Sequence, residues 1–300
     1  MKLRRLPLPT LLLGLLPGVL CATEQSSTDN LKDVPPELLA VVGQLHPQHG
    51  KIDIGNGLAT LDMPDSLGYL PPDQTDILLH RVLHYVPKVS NLGCIVPTDV
   101  AIGTPTSWEA IITYQEDGHV SDADAANLDT GAVLAAMQEE NKARNVKLAG
   151  MGFSRMGINL LGWAATPHYD DAAHKLSWAI EILPAESGQH NLNYHIRVLG
   201  RKGMLETLIV SPLEQLPILE DNAKKILSLM EFKSPNRYAD FNPDTDRKAA
   251  YGISDVITGH TAAQTIHHTQ ASQTPGLWLI LLSLLAAGGL LWKTLGRRKR

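Results

Sequence analysis

From Lys175 to Leu183 apolar and small or polar residues alternate: Leu176, Trp178, Ile180 and Ile182 are separated by Ser177, Ala179 and Glu181. A period of two turns one apolar face of a strand toward a core. The segments NLNYHIRVL (191–199) and MLETLIV (204–210) repeat the pattern, joined by GRKG at 200–203. If Arg201 and Lys202 are the two loop residues, the register sets Arg197 opposite Glu206. KIDIGNGLATLDM reads as two short strands about Gly55, Asn56 and Gly57, and CIVP and WEAIITYQ read as further strands. Helical patterns cover Pro35 to Gln44, Asp73 to His84, Asp122 to Arg144 (capped by Ser121 or Asp122), Pro212 to Met230 and Arg247 to Ile257. Hairpins and helices mix without βαβ alternation, which predicts an α+β fold: a largely antiparallel sheet with packed helices, followed by a single C-terminal transmembrane helix.

The two ends carry different patterns. MKLRRLPLPTLLLGLLPGVLCA has Lys2, Arg4 and Arg5 before a leucine-rich run and small residues near Ala22, the plan of a secretory signal. Leu20 before Cys21 departs from a lipoprotein signal. LWLILLSLLAAGGLLW (277–292) is uncharged, bounded by Trp278 and Trp292 and followed by Lys293, Arg297, Arg298, Lys299 and Arg300. With its flanks it nears the ~20 residues of a bilayer span, and the cations keep the tail in the cytoplasm. Ala286, Ala287, Gly288 and Gly289 offer a weak route to a homodimer through this helix. The expected organisation is a signal at 1–22, a loose segment with a short helix at 23–47, an exported domain at 48–257, a linker at 258–275, the membrane helix at 276–295 and a basic tail at 296–300.

Charge sharpens this topology. The chain holds 26 Lys and Arg against 31 Asp and Glu. No acidic residue lies in 1–22 or 293–300, so the acidic excess sits in the exported body. Such a body repels a phosphate backbone, which disfavours nucleic acid as a partner, and anionic lipid headgroups would be poor partners too. Once the signal is removed, Cys94 is the one cysteine and no intrachain disulfide is possible. Its apolar setting, LGCIVP, predicts a core thiol.

Four blocks, DGHVSDADA (117–125), GWAATPHYDDAAHKLSWA (162–179), LNYHIRVLGRKGML (192–205) and RYADFNPDTDRKAAYG (237–252), resemble those of a family of bacterial membrane-anchored proteins known as domain of unknown function 2167. The resemblance implies bacterial origin and envelope anchoring; it brings no activity, substrate or catalytic residue.

Candidate chemistry concentrates in HYDDAAH, 168–174. His168, Asp170, Asp171 and His174 are metal-ligand types, yet their spacing fits no common zinc motif. The alternative is a strand entrance in which Asp170 or Asp171 caps a turn and His174 is already extended. Asn193, His195 and Arg197 share one side of their strand, with Glu206 on the next. If these strand ends converge with the turn, Tyr169, Asp170, His174, Asn193 and Arg197 form a ligand cluster. Other motifs fall short of a site. His80 and His84 share a helix face, but HRVLH lacks the glutamate that a zincin uses as base. SDADAANLD lacks the glycine and terminal glutamate of a calcium loop. GMGFSRMG is neither a dinucleotide fingerprint nor a nucleophile elbow, and His267 and His268 stand in a polar linker without a third ligand. The resulting expectation is a non-catalytic envelope module facing the periplasm, bound to the inner membrane by its C-terminal helix, without a cofactor, and binding an envelope protein or ligand. The rival is a tethered metal-dependent hydrolase using the 168–174 cluster.

Overall fold

The computed structural model describes residues 36–83, 90–104, 106–186 and 188–259. The expected signal, linker, membrane helix and tail, with Cys21, His84, His267 and His268, lie outside the described residues. In chain order the strands are β1 (Gly50–Ile54), β2 (Ala59–Met63), β3 (Leu67–Leu70), β4 (Gly93–Pro97), β5 (Ala110–Gln115), β6 (His119–Ser121), β7 (Ile158–Asp170), β8 (Lys175–Pro184), β9 (Asn191–Leu199), β10 (Met204–Pro212), β11 (Met230–Phe232) and β12 (Lys248–Gly252). The helices are α1 (Pro36–Val42), α2 (Pro72–Ile77), α3 (Thr130–Gly150), α4 (Leu216–Leu229) and α5 (Ile253–Thr258).

Seven strands form an antiparallel sheet in the order β3-β4-β5-β10-β9-β8-β7, and β1, β2 and β11 form a second, three-stranded one. The β9–β10 hairpin has the expected register, with Arg197 opposite Glu206. Gly55, Asn56 and Gly57 all take positive φ in the turn between β1 and β2, where glycine and asparagine meet the least steric penalty. The fold is thus a mixture of antiparallel sheets and several helices, as the alternation predicts.

Alternation on β8 predicts one apolar face, whereas the large sheet is covered on both. Leu176, Trp178, Ile180 and Ile182 pack with Val133 of α3 and with Ile253, Val256 and Ile257 of α5. Leu192, Tyr194, Ile196 and Val198 of β9 face the other way, onto Leu219, Ala223 and Ile226 of α4 and onto the small sheet. Neighbouring strands therefore present their bulk to opposite layers. Trp178, Ile180, Ile196 and Val198 are all buried. Cys94 is buried beside α1 and α2, and burial pushes its thiol well up.

Three helices differ from the sequence expectation. The segment expected to be helical from Asp73 is α2 and then a π-helical turn, Leu78–Val82. The helix expected from Asp122 begins at Thr130, where Asp129 accepts from the amides of Gly131 (3.0 Å) and Ala132 (2.9 Å). The reason is that the carboxylates upstream serve other elements. Asp124 accepts from the Ile253 and Ser254 amides (both 3.0 Å) and the Ser254 hydroxyl (2.9 Å), capping the start of α5. The segment expected as a helix from Arg247 is β12 up to Gly252, because it pairs in parallel with β6 before α5 begins.

The free edge of β7 would be a template for another strand. Along its first residues α3 covers it with side chains. Asn145 donates to the Ile158 carbonyl (2.6 Å) and accepts from its amide (3.3 Å); Asn141 accepts from the Leu160 amide (3.3 Å); Gln138 donates to the Leu161 carbonyl (3.1 Å). Positions 138, 141 and 145 lie on one helical stripe, so a single face of α3 satisfies this backbone. Further along, Pro167 and register shifts interrupt the edge.

Candidate functional site

The β7–β8 hairpin fixes the geometry of HYDDAAH. His168 lies opposite Ser177, Tyr169 opposite Leu176 and Asp170 opposite Lys175. Alternation therefore sends Tyr169 to the α5-covered face and His168 and Asp170 to the other. Asp170 caps the turn, accepting from the amides of Ala172 and Ala173 (both 3.0 Å). His174 is not extended as expected: its φ is +54°, because the last residue of the four-residue loop must swing the chain back to bring Lys175 opposite Asp170. His168, Asp170, Asp171 and His174 do not converge. Among the described residues no three His, Cys, Asp or Glu side chains stand close enough to hold a metal ion.

Tyr169 and His174 meet a third group from elsewhere. The Tyr169 hydroxyl donates to Asp122 Oδ2 at 2.7 Å, and His174 Nδ1 lies 3.2 Å from both that oxygen and the Tyr169 hydroxyl. The His174 ring stacks on Tyr238 (centroids 3.9 Å), Tyr238 packs on His119 (4.2 Å), and His119 stacks on Phe241 (4.0 Å). Four rings thus form one column beside a carboxylate. The Tyr238 hydroxyl donates to the Val120 carbonyl at 3.0 Å. The side chains of Asp122 and His174 remain 29% and 28% exposed, so the patch is formed but open to a ligand.

Electrostatics follow from this packing. Partial burial works against the Asp122 charge, but hydrogen bonds from Tyr169, Tyr238 and His174 outweigh it and hold the carboxyl below its ordinary value. Burial first and Asp122 second hold the Tyr169 phenol well above its ordinary range, and the same two causes raise Tyr238. Burial lowers His119. The patch at neutral pH is an anion ringed by neutral phenols.

Arg197 and Asn193 lie along the same sheet face as Tyr169 but not in the patch. Arg197 shares the cross-strand row of Tyr169 and Leu176, two strands away or about 10 Å. Its Nε lies 3.1 Å from Glu206 Oε1, and its guanidinium sits 5.2 Å over the Trp178 ring, which in turn stacks on His195 (4.7 Å). Asn193, four residues along β9 and about 13 Å from Arg197, has no exposed surface. Its two amide atoms, His195 Nδ1 and Trp178 Nε1 have no hydrogen-bond partner among the described residues. The structure thus joins Tyr169 and His174, aligns Arg197 with them, sets Asn193 deep in the core and leaves Asp170 to the turn.

Spacing points to Asp122 only as a helix cap and to His119, Tyr238 and Phe241 not at all, yet each belongs to a quoted block. The blocks close on one another. Tyr251 donates to Asp117 (2.7 Å), Arg201 makes a two-point contact with Asp246 (2.6 and 3.0 Å), and the Gly118 amide donates to the Lys202 carbonyl (2.9 Å). The family model for "Protein of unknown function (DUF2167)" matches residues 46–285, which takes in all four blocks. The chain belongs to the DUF2167 family. No curated protein matches this DUF2167 chain. Among solved structures it is similar to cyanobacterial PsbP (CyanoP) from Synechocystis sp. PCC 6803, at 8% identity, 61% coverage of this chain, 91% of that chain and a TM-score of 0.33. It is also similar to LpqN, involved in cell envelope biogenesis of Mycobacterium tuberculosis, at 14% identity, 66% and 99% coverage and a TM-score of 0.30. At these scores neither likeness carries an argument about this DUF2167 protein.

Proposed function

We propose that this DUF2167 protein is a non-catalytic binding module of the bacterial envelope, held at the inner membrane by its apolar segment 277–292 and facing the periplasm. Its recognition surface is the patch of Asp122, Tyr169, His174 and Tyr238. The observation that carries this reading is how the polar groups are used. Asp122 takes up Tyr169 and His174 together, and the imidazole lies flat on Tyr238. His174 Nδ1 stands between the Asp122 carboxylate and the Tyr169 hydroxyl, which fixes the ring in place. A preorganised, half-exposed aromatic and acidic surface suits recognition, where fixed side chains lose little freedom on binding. The tethered-hydrolase alternative finds no support in the strand geometry, which keeps His168 and Asp170 on one face while His174 turns to Tyr169 and Asp122 on the other.

The test is photo-crosslinking in cells with a benzophenone amino acid at Asp171, beside the patch, and at Lys224 on α4 as control. A discrete adduct from position 171, absent from 224 and lost when Tyr238→Ala is added to a stably folded protein, is the expected result. Adducts that ignore the patch substitution, or none at all, refute it.

A further inference from the structure

Six large apolar side chains are exposed among the described residues: Leu39, Val146, Met151, Phe153, Leu161 and Ile218. Four of them fall within 146–161, at the C-terminal end of α3, the turn after it and the start of β7. Val146 is 73% exposed, Phe153 48% and Met151 43%. Local folding holds them there: the Met151 amide donates to the Lys147 carbonyl (3.2 Å) and the Phe153 amide to the Leu148 carbonyl (2.8 Å), wrapping the turn over the helix end. Leu148 turns inward and is buried, while Val146, two residues earlier, turns out. None of Val146, Met151 and Phe153 belongs to a core cluster of the described residues.

Charge changes sign at the same place. Between 141 and 157 the chain has Lys142, Arg144, Lys147 and Arg155 and no acidic residue, against the acidic balance of the chain as a whole. Lys142 pairs with Glu139 (2.6 Å) and Arg155 with Glu186 (3.0 Å), both pairs at the surface, where such contacts are weak and exchangeable. Lys147 is exposed and has no ion-pair partner among the described residues.

We propose that this corner docks onto an anionic phospholipid surface, with Val146, Met151 and Phe153 entering the headgroup region and Lys142, Lys147 and Arg155 meeting lipid phosphates. Apolar side chains ringed by long cationic ones suit the bilayer interface, where alkyl stems follow the hydrocarbon and charges stay with the headgroups. Nucleic acid would use the cations and leave the apolar groups in water. The proposal goes beyond the binding reading above and uses a different surface. It rests on the tether only for proximity: an anchored domain meets the membrane at high effective concentration, so a weak contact suffices. Each cation near an anionic surface then adds an attraction that salt screens.

The experiment uses the full chain with Cys21→Ser and Cys94→Ala, spin-labelled at Val146→Cys, at Phe153→Cys or, as control, at Lys224→Cys on α4. It is mixed with nanodiscs of phosphatidylethanolamine and phosphatidylglycerol or of phosphatidylcholine alone. Power saturation compares contact with oxygen, which dissolves in lipid, and with a water-soluble nickel complex. The labels at 146 and 153 are expected to move toward oxygen in anionic discs only, and to return to the aqueous value when Lys142→Glu, Lys147→Glu and Arg155→Glu are combined. The control label stays aqueous throughout. Aqueous labels at 146 and 153 in anionic discs overturn the docking. So does immobilisation that ignores lipid charge, or dipolar broadening between labels, which marks a second copy. Co-elution of chain and disc reads the tether separately, and the labels report docking whether or not the chain has inserted.

Discussion

His174 stands where glycine would be the least strained residue, and substitutions there separate backbone from side chain. At φ +54° its Cβ crowds the following carbonyl, a conformation that disfavours an L-residue by about 1–2 kcal/mol. Alanine keeps that strain; glycine relieves it but gives the unfolded chain about 0.4–1 kcal/mol of extra freedom. His174→Gly should therefore be more stable than His174→Ala by about 0.5–1 kcal/mol. Both lose the imidazole. The bond to Asp122 is partly exposed and contributes at the low end of about 0.5–1.5 kcal/mol, and the stack on Tyr238 about 0.5–1.5 kcal/mol. The alanine variant should thus fall below the native protein by about 1–2 kcal/mol and the glycine variant by less than about 1 kcal/mol. Urea unfolding of the exported body, followed by tryptophan fluorescence, reads both, with an unchanged slope because the surface exposed on unfolding hardly differs. An alanine variant as stable as the glycine one would refute the left-handed turn. If the order holds, the glycine variant is a well-folded protein without the imidazole, and loss of the crosslink at 171 in it assigns His174 to recognition and not to the fold.

Trp178→Ala removes a fully buried ring from between the sheet and α5 and should destabilise by ~3–5 kcal/mol in the same assay; a loss under ~1 kcal/mol contradicts the packing. Asn145→Ala strands both the amide and the carbonyl of Ile158 on the β7 edge and should cost about 1–3 kcal/mol, with exchange protection lost at Ile158 but kept at Leu160, whose amide donates to Asn141. Two half-buried groups whose ionisable atoms face the interior should give pH effects of opposite sign. Burial lifts Glu109 from 4.5 to about 7, so its contribution is present below about 4.5 and lost as pH rises to about 7; burial depresses His195, whose contribution is present above its ordinary value near 6.5 and declines as pH falls below it. Between about pH 4.5 and 6.5 the two slopes oppose each other, so in that window stability should rise more with pH in Glu109→Gln and fall more with pH in His195→Phe than in the native protein, and unchanged curves refute the burial argument. Alkaline phosphatase fused after Gly259 should be active in cells; a stable but inactive fusion reverses the expected topology.

The β9–β10 register was legible because a two-residue loop leaves little freedom: once GRKG closes the hairpin, Arg197 must face Glu206. Burial of Trp178, Ile180, Ile196 and Val198 was legible from alternation. Alternation on one strand does not reveal how many layers cover a sheet, however. The second layer lay in the opposite parity of Leu192, Tyr194, Ile196 and Val198 on the next strand. The α3 start was misplaced because SDADA reads as local capping, whereas Asp124 caps a helix far away in sequence. The left-handed His174 had no local signal, since histidine does not mark turns as glycine does. Half of the patch was legible, Tyr169 and His174, because they share a hairpin; Asp122 and Tyr238 join them only through tertiary packing that no spacing rule contains.

The patch is bound up with the way the chain leaves the domain. Segment 117–125 sends Asp117 to Tyr251 of β12, Asp122 to the β7–β8 turn and Asp124 to the start of α5. One short stretch therefore holds both the aromatic and acidic patch and the start of α5. Burial opposes the Asp124 charge, and the Ser254 and Ile253 amides more than offset it, holding the carboxyl below its ordinary value. That makes the clamp on α5 a charge-assisted contact, stronger than a neutral cap. With Val256 and Ile257 buried against the sheet, α5 is fixed at both its polar start and its apolar face. The patch and the start of α5 thus rest on the same short stretch, which follows from the order of carboxylates in the sequence and the separate elements each one serves.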